Sequence, residues 1–249
     1  MILGLGTIRR SRAEDLAVKK RTEQVLKLLA QLSLDDKTVL EVGCGYGMHI
    51  LSLAQVAQMA IGIDIERDRL REAREDAVNL NASSKYVEAN AECLPFRDSC
   101  CDVVMIIEAL EHIQNPENAL KEVKRVLKSQ GYLVVSVPNR RYPLEMHGMR
   151  IGKTVFTGFH GSVPFFSWAP RFIRNTFETA RIYTKKEITE IIEESGFVVC
   201  HVQYSILPRL DRLGIKKITD LCDKVFTRLE NNAFFKQFGM SILVLAQKR

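Results

Sequence analysis

The sequence predicts an α/β protein with a doubly wound, mainly parallel sheet covered by helices on both faces. Three observations carry this. Strand-like and helix-like segments alternate from Lys37 to Pro138. A glycine-rich turn, "VGCGYG" (42–47), joins the first strand to the helix after it. The chain has 249 residues, 46% hydrophobic and 27% charged, which is ordinary for a globular protein with one large domain and an appendage.

Leucines at helical spacing across about 13–33 predict an amphipathic helix, so residues 1–36 read as an N-terminal helical segment. "KTVLEVG" (37–43) reads as a buried strand and "MHILSLAQVAQ" (48–58) as a helix. A second strand (59–65), a charged helix (66–81), a third strand (85–90) and a fourth (101–110) follow. "NPENALKEVKRVLKS" (115–129) starts as a helix at Asn-Pro and leads through Gly131 to a fifth strand, 132–138. The rhythm then breaks. Residues 139–183 hold three further prolines, nine of nineteen aromatic residues, and seven Arg/Lys against two Glu. Alternation returns with a helix (184–195), a strand (197–206), a helical stretch (209–237) and a last strand (240–247). The division expected is one domain over 37–249 with an inserted cap at 139–183 after strand 5.

The glycine turn narrows the choice of cofactor. A dinucleotide turn runs G-x-G-x-x-G, but here the glycines are Gly43, Gly45 and Gly47, and Met48 stands where the third dinucleotide glycine belongs. Glu41, two residues ahead of Gly43, suits an ammonium better than a pyrophosphate, and no G-x-x-x-x-G-K-[ST] motif occurs. S-adenosylmethionine fits: it offers an ammonium and a ribose but no phosphate. Asp64, with Ile65 after it, ends the second strand twenty-one residues after Gly43, where a carboxylate can accept ribose hydroxyls. A strand-end Asp can equally cap the next helix. Asn90, Ala91 and Glu92 follow the third strand, where an adenine edge can be read.

With these motifs in order, the chain resembles the class I S-adenosylmethionine-dependent methyltransferases of the type 11 group, which includes ubiquinone and menaquinone biosynthesis enzymes. The matching segments are "VLEVGCGYG", "GIDIE", "NAECLPFRDSCCDVV", "EALEHIQNPENALKEVKRVLKSQGYLVVSVPN" and "YTKKEITEIIEESGF". The resemblance implies a Rossmann-like seven-stranded sheet with an antiparallel last strand, here "MSILVLAQ". It further implies that Glu41, Gly43 and Gly45 approach the methionine moiety, with Gly47 completing the turn. Asp64 is implied at the ribose, and Asn90 with Ala91 at the adenine. Asn90 replaces the family's usual Asp, a weaker neutral acceptor.

The chemistry is expected at "IIEALEHIQNP", where Glu108 is counted with the cofactor residues, and Glu111 and His112 are the candidate catalytic pair. An imidazole titrates near working pH, so His112 is the candidate general base. The other reading of Glu111-His112 is a turn that packs against the cofactor. The spacing of Glu108, Glu111 and His112 also resembles a Mg²⁺ or Mn²⁺ site of some O-methyltransferases, with His147 or His160 completing it.

Acceptor choice falls to the cap, where Arg140, Arg141, His147 and His160 are the candidate substrate residues. Phe165, Phe166, Trp168 and Phe172 are expected to form the cap's own small core, although Trp168 and neighbouring arginines also suit a membrane surface. A small or lipid-like acceptor is expected, methylated at oxygen. RNA is disfavoured: N-P-P-[YF] is absent after strand 4 and no RNA-binding module is appended. Against that stands charge, since residues 138–249 hold 18 Lys/Arg to 10 Asp/Glu, while 37–137 hold 11 to 15. A non-catalytic S-adenosylmethionine-binding regulator is the other alternative, and a dinucleotide oxidoreductase the outside reading. Six cysteines without a C-x-x-C pair, no secretory signal pattern and no membrane-length apolar run point to the cytoplasm, with peripheral membrane contact open.

Overall fold

Five apolar runs of the first half become strands of one sheet: β1 (Thr38–Val42), β2 (Met59–Asp64), β3 (Ser84–Glu88), β4 (Cys101–Ile107) and β5 (Leu127–Pro138). The computed structural model describes residues 16–143, 149–151, 154–156, 166–177, 179–205 and 233–249. With β8 (Phe197–Ser205) and β9 (Ser241–Lys248), the sheet is seven-stranded, in the order β3-β2-β1-β4-β5-β9-β8, with an antiparallel last strand. β1 pairs in parallel with β2 on one side and β4 on the other. The winding direction therefore reverses between β1 and β4, and ligands of open α/β sheets bind at the carboxyl ends of strands beside such a reversal.

The strands are central because they are apolar on both faces. In β1 every residue from Val39 to Val42 is buried, and in β4 all but Asp102 are. Helices α1 (Leu16–Leu29), α2 (Met48–Leu53), α3 (Arg67–Asn79) and α4 (Pro116–Val126) occur along this part of the chain. α4 shows why the sequence folds as it does. Asn115 accepts the amide of Asn118 as N-cap, Pro116 takes the first turn, and Ala119, Leu120, Val123 and Val126 form the buried stripe.

Several boundaries differ from expectation: β4 ends at Ile107 rather than 110, and β5 starts at Leu127 rather than 132. The helix expected over 115–129 stops at Val126, because Leu127 is already paired with Cys101 and Lys128 Nζ lies 2.7 Å from Asp102 Oδ2. The helix expected over 48–58 stops at Leu53, since the chain must turn to begin β2 at Met59 opposite Thr38. Of the helical stretch expected over 209–237, the described part is α7 (Ala233–Lys236); residues 209–232 lie outside the described residues.

The chain divides into two compact units, one drawing on 1–136, 189–202 and 244–249, the other on 137–188 and 203–243. The first also holds most of α6 (Lys185–Glu194). The second contains a hairpin of β6 (Met149–Ile151) and β7 (Thr154–Phe156), a 3₁₀ turn at Phe166–Trp168, and α5 (Arg171–Phe177). Asn139 ties it together: its side-chain amide donates to the carbonyls of Gln237 and Gly239, and its backbone amide to Met240. The aromatic core expected here is only partly formed. Phe166 is buried and meets Phe177 edge-on at 6.5 Å, but Trp168 and Phe172 are 50% and 75% exposed, and Phe165 lies outside the described residues. Among the described residues, no helix is long and apolar enough to cross a membrane.

Candidate active site

A cavity of about 550 Å³ opens at the carboxyl ends of β1, β2 and β4, within the first unit. Its wall includes Gly43, Asp64, Ile65, Asn90, Ala91, Glu92, Glu108 and His112. Residues separated by up to 72 positions in sequence, Val42 to Gln114, thus share one wall, because parallel strands end at the same edge.

The glycine turn is shaped by backbone need. Gly43 has φ +74°, and a Cβ there would lie 2.5 Å from the Ala109 Cβ. Gly47 has φ +72°, and a Cβ there would meet the Tyr86 ring at 2.6 Å. Gly43 walls the cavity, whereas Gly45 and Gly47 shape the turn without lining it. Asp64 holds the turn in place: its Oδ2 accepts the Gly45 amide at 2.7 Å and its Oδ1 the Glu66 amide at 2.9 Å. It is therefore both strand-end acceptor and loop anchor, and each oxygen keeps a second lone pair. Ile65, 71% exposed, presents an apolar side chain at the cavity wall. Asn90 Oδ1 accepts the Glu92 amide at 2.9 Å, an Asx turn that uses one lone pair of the oxygen expected at adenine.

Glu41 is expected from sequence at the methionine moiety. It is 1% exposed and does not line the cavity. Its Oε1 lies 2.7 Å from Nδ1 of His49, at the start of α2, while Glu41 Oε2 and His49 Nε2 are buried with no hydrogen-bond partner among the described residues. The pleat explains this: Val42 and Gly43 line the cavity, and the preceding residue packs its side chain against α2. His49 escaped sequence reasoning; the signal available was a histidine within the apolar run "MHILSL", which needs a partner when buried.

After β4, the i, i+3, i+4 spacing of Glu108, Glu111 and His112 would gather them on one side of an α-helical turn, but that turn does not form. Glu108 takes φ +51°, and a 3₁₀ turn covers Leu110–His112. Glu108 Oε1 accepts from Ser136 Oγ at 2.5 Å, and its Oε2 lies 3.5 Å from Arg21 Nη2 of α1. Glu111 is buried and outside the cavity wall, while His112 is exposed on it. The three residues do not gather, and among the described residues no group of three His, Cys, Asp or Glu is placed to hold a metal ion. His147 and His160 lie outside the described residues. Arg140 and Arg141 belong to the second unit, where Arg140 Nη2 lies 2.7 Å from Glu187 Oε1 and Arg141 Nη1 donates to Gln237 Oε1.

Arg125 is a further residue that sequence reasoning missed. From α4 it donates to the carbonyls of Leu94 and Phe96 and to Glu122 and Asp98. It pins the loop that follows Asn90–Glu92, and its guanidinium holds the Glu122 carboxyl below the usual range. Burial, by contrast, pushes the Cys44 thiol of the glycine turn well up, so it is no nucleophile at neutral pH.

Residues 40–135 match the methyltransferase domain family of type 11. The ubiquinone biosynthesis O-methyltransferase of Haemophilus ducreyi is 33% identical over 109 residues, 42% of this chain and 46% of that protein. A sterol 4-C-methyltransferase of Caenorhabditis elegans is 32% identical over 124 residues, 47% of this chain and 37% of that one. The matched stretch thus spans less than half the length of these relatives. A SAM-dependent methyltransferase structure from Aquifex aeolicus superposes with a TM-score of 0.61 at 17% identity, covering 96% of each chain, which shows a shared fold. Residues 40–135 thus carry a methyltransferase domain of type 11, on a fold shared with S-adenosylmethionine-dependent methyltransferases.

Proposed function

We propose that the chain transfers the methyl group of S-adenosylmethionine to a hydroxyl oxygen of a small or lipid-like acceptor. The observation that carries this is one cavity wall holding Gly43, Asp64, Asn90 and the exposed imidazole of His112. The residues fit the cofactor: a glycine turn permits close backbone approach, a strand-end carboxylate keeps lone pairs for hydroxyl donors, and Ile65 offers apolar surface. Bound there, S-adenosylmethionine supplies an electrophilic methyl group on a sulfonium. The protein's part is to align the acceptor oxygen and remove its proton. Asp64 fixes the turn through the Gly45 amide, and His112 takes the proton. The O-methyltransferase name of the ubiquinone relatives supports oxygen and a prenylated ring; the sterol relative makes carbon the competing acceptor atom.

Calorimetric titration tests the cofactor: S-adenosylhomocysteine should bind and NAD(P) should not, and the reverse overturns the reading. Labelled methyl transfer into a cell extract, separated into lipid, glycan, RNA and protein fractions, tests the acceptor. His112→Ala should lower turnover by on the order of 10²-fold, within the usual range for a lost general base, with S-adenosylhomocysteine affinity nearly unchanged. Equal losses in both would reassign His112 to packing.

A further inference from the structure

The second unit exposes a set of large apolar side chains that the proposed chemistry does not use. Phe172 and Ile173, adjacent on α5, are 75% and 37% exposed, and Arg174 after them is buried, its Nε donating to the Ala169 carbonyl. Trp168 is half exposed; its Nε1 donates to the Arg141 carbonyl, and its ring meets Phe238 at 6.2 Å. The Arg141 side chain donates to Gln237, the residue between Lys236 and Phe238, and Phe235 is 43% exposed in the same turn. Trp168, Arg141, Lys236, Phe235 and Phe238 thus form one connected neighbourhood of aromatic and basic residues.

Charge says what this surface meets. Arg141, Arg150, Arg181, Lys185, Lys186 and Lys236 are all exposed, and the sequence of the unit holds sixteen Lys/Arg against seven Asp/Glu, of which Glu187 is held by Arg140 and Thr184. A second copy docking by two-fold symmetry would set this charge against itself. Apolar side chains for the acyl boundary, an indole at its polar margin and surrounding cations are what an anionic bilayer binds. We propose that the second unit docks, through these exposed apolar and basic side chains, on a membrane surface bearing anionic lipid headgroups.

The test is co-sedimentation of the full chain with vesicles of phosphatidylcholine, with and without phosphatidylglycerol. Partition should be at least about tenfold stronger into the anionic vesicles and should fall at high salt, as surface attraction is screened. Phe172→Ser with Ile173→Ser should lower it about tenfold while the thermal midpoint and S-adenosylhomocysteine affinity stay unchanged, since both side chains are exposed. Lys185→Glu with Lys236→Glu should lower the anionic preference without altering the fold. Equal partition into both vesicle types, or an apolar variant that partitions like the parent, overturns the proposal. So does a chain that ignores vesicles but retards RNA, or that forms a dimer lost in the apolar variant. Because lipid binding is read directly, failure here is separate from failure of the methyl-transfer reading.

Discussion

In the first unit, polar groups at strand ends find fixed partners: Asp64 takes two backbone amides, Glu41 takes His49, and Glu108 takes Ser136 and Arg21. In the second, the aromatic side chains of Trp168, Phe172 and Phe235 stay exposed, and among the described residues basic side chains outnumber acidic ones. The contrast teaches where precision is needed. A cofactor of fixed shape calls for a turn and carboxylates held by several bonds each, whereas a lipid-like acceptor or surface calls for area and charge, with little geometry. Predictions that break partners in the first unit should therefore be large, and those in the second small.

The largest effect is expected at His49. His49→Leu leaves the Glu41 carboxylate 1% exposed beneath the glycine turn without its donor. Breaking one side of such a buried pair costs about 3–5 kcal/mol, to be read as a shift in denaturant midpoint. His49→Asn places an amide N–H near the Nδ1 position and should recover a large part. Equal destabilisation by Leu and Asn would show that volume matters and the bond does not.

Gly43→Ala comes next, with about 1–3 kcal/mol from the positive φ plus the clash with Ala109. Adding Ala109→Gly should remove the clash and leave the backbone strain, so the double variant should recover part of the loss. A neutral single variant would mean the turn relaxes freely, and the contrast between the units would lose its clearest support.

These two positions also mark how far the sequence could be read. Gly43, Asp64 and Asn90 were legible because each stands at a fixed offset from a strand end, and parallel strands bring such ends together. Glu41 was legible as a residue but not as a contact, since the pleat that aims it away from the cavity depends on strand register. Helical spacing predicted one face for Glu108, Glu111 and His112, but the left-handed Glu108 ends that period before it starts. In the cap, aromatic composition suggested a core; whether a ring is covered depends on long-range partners, which composition does not encode. Arg125 was invisible for the same reason: apart from Glu122 on its own helix, its acceptors lie 27 to 31 residues away in sequence.

The smallest effect concerns Arg140, expected from sequence to face the acceptor and found beside Glu187. Burial pushes the Glu187 carboxyl up, but hydrogen bonds from Thr184 and then Arg140 hold it below the usual range. A carboxyl lowered by folding stabilises fully above its ordinary value, and that stability is lost as pH falls through the lowered one. Arg140→Met should therefore lower the thermal midpoint at pH 7 and lose this difference in acid, once Glu187 is protonated. With the Glu187 side chain 41% exposed, solvent screens the pair, and less than about 1 kcal/mol is at stake. If the midpoint stays fixed at pH 7 while KM for the methyl acceptor rises, Arg140 serves the acceptor rather than Glu187. The second unit would then hold a geometric site of its own, and the division between a precise unit and a permissive one would need redrawing.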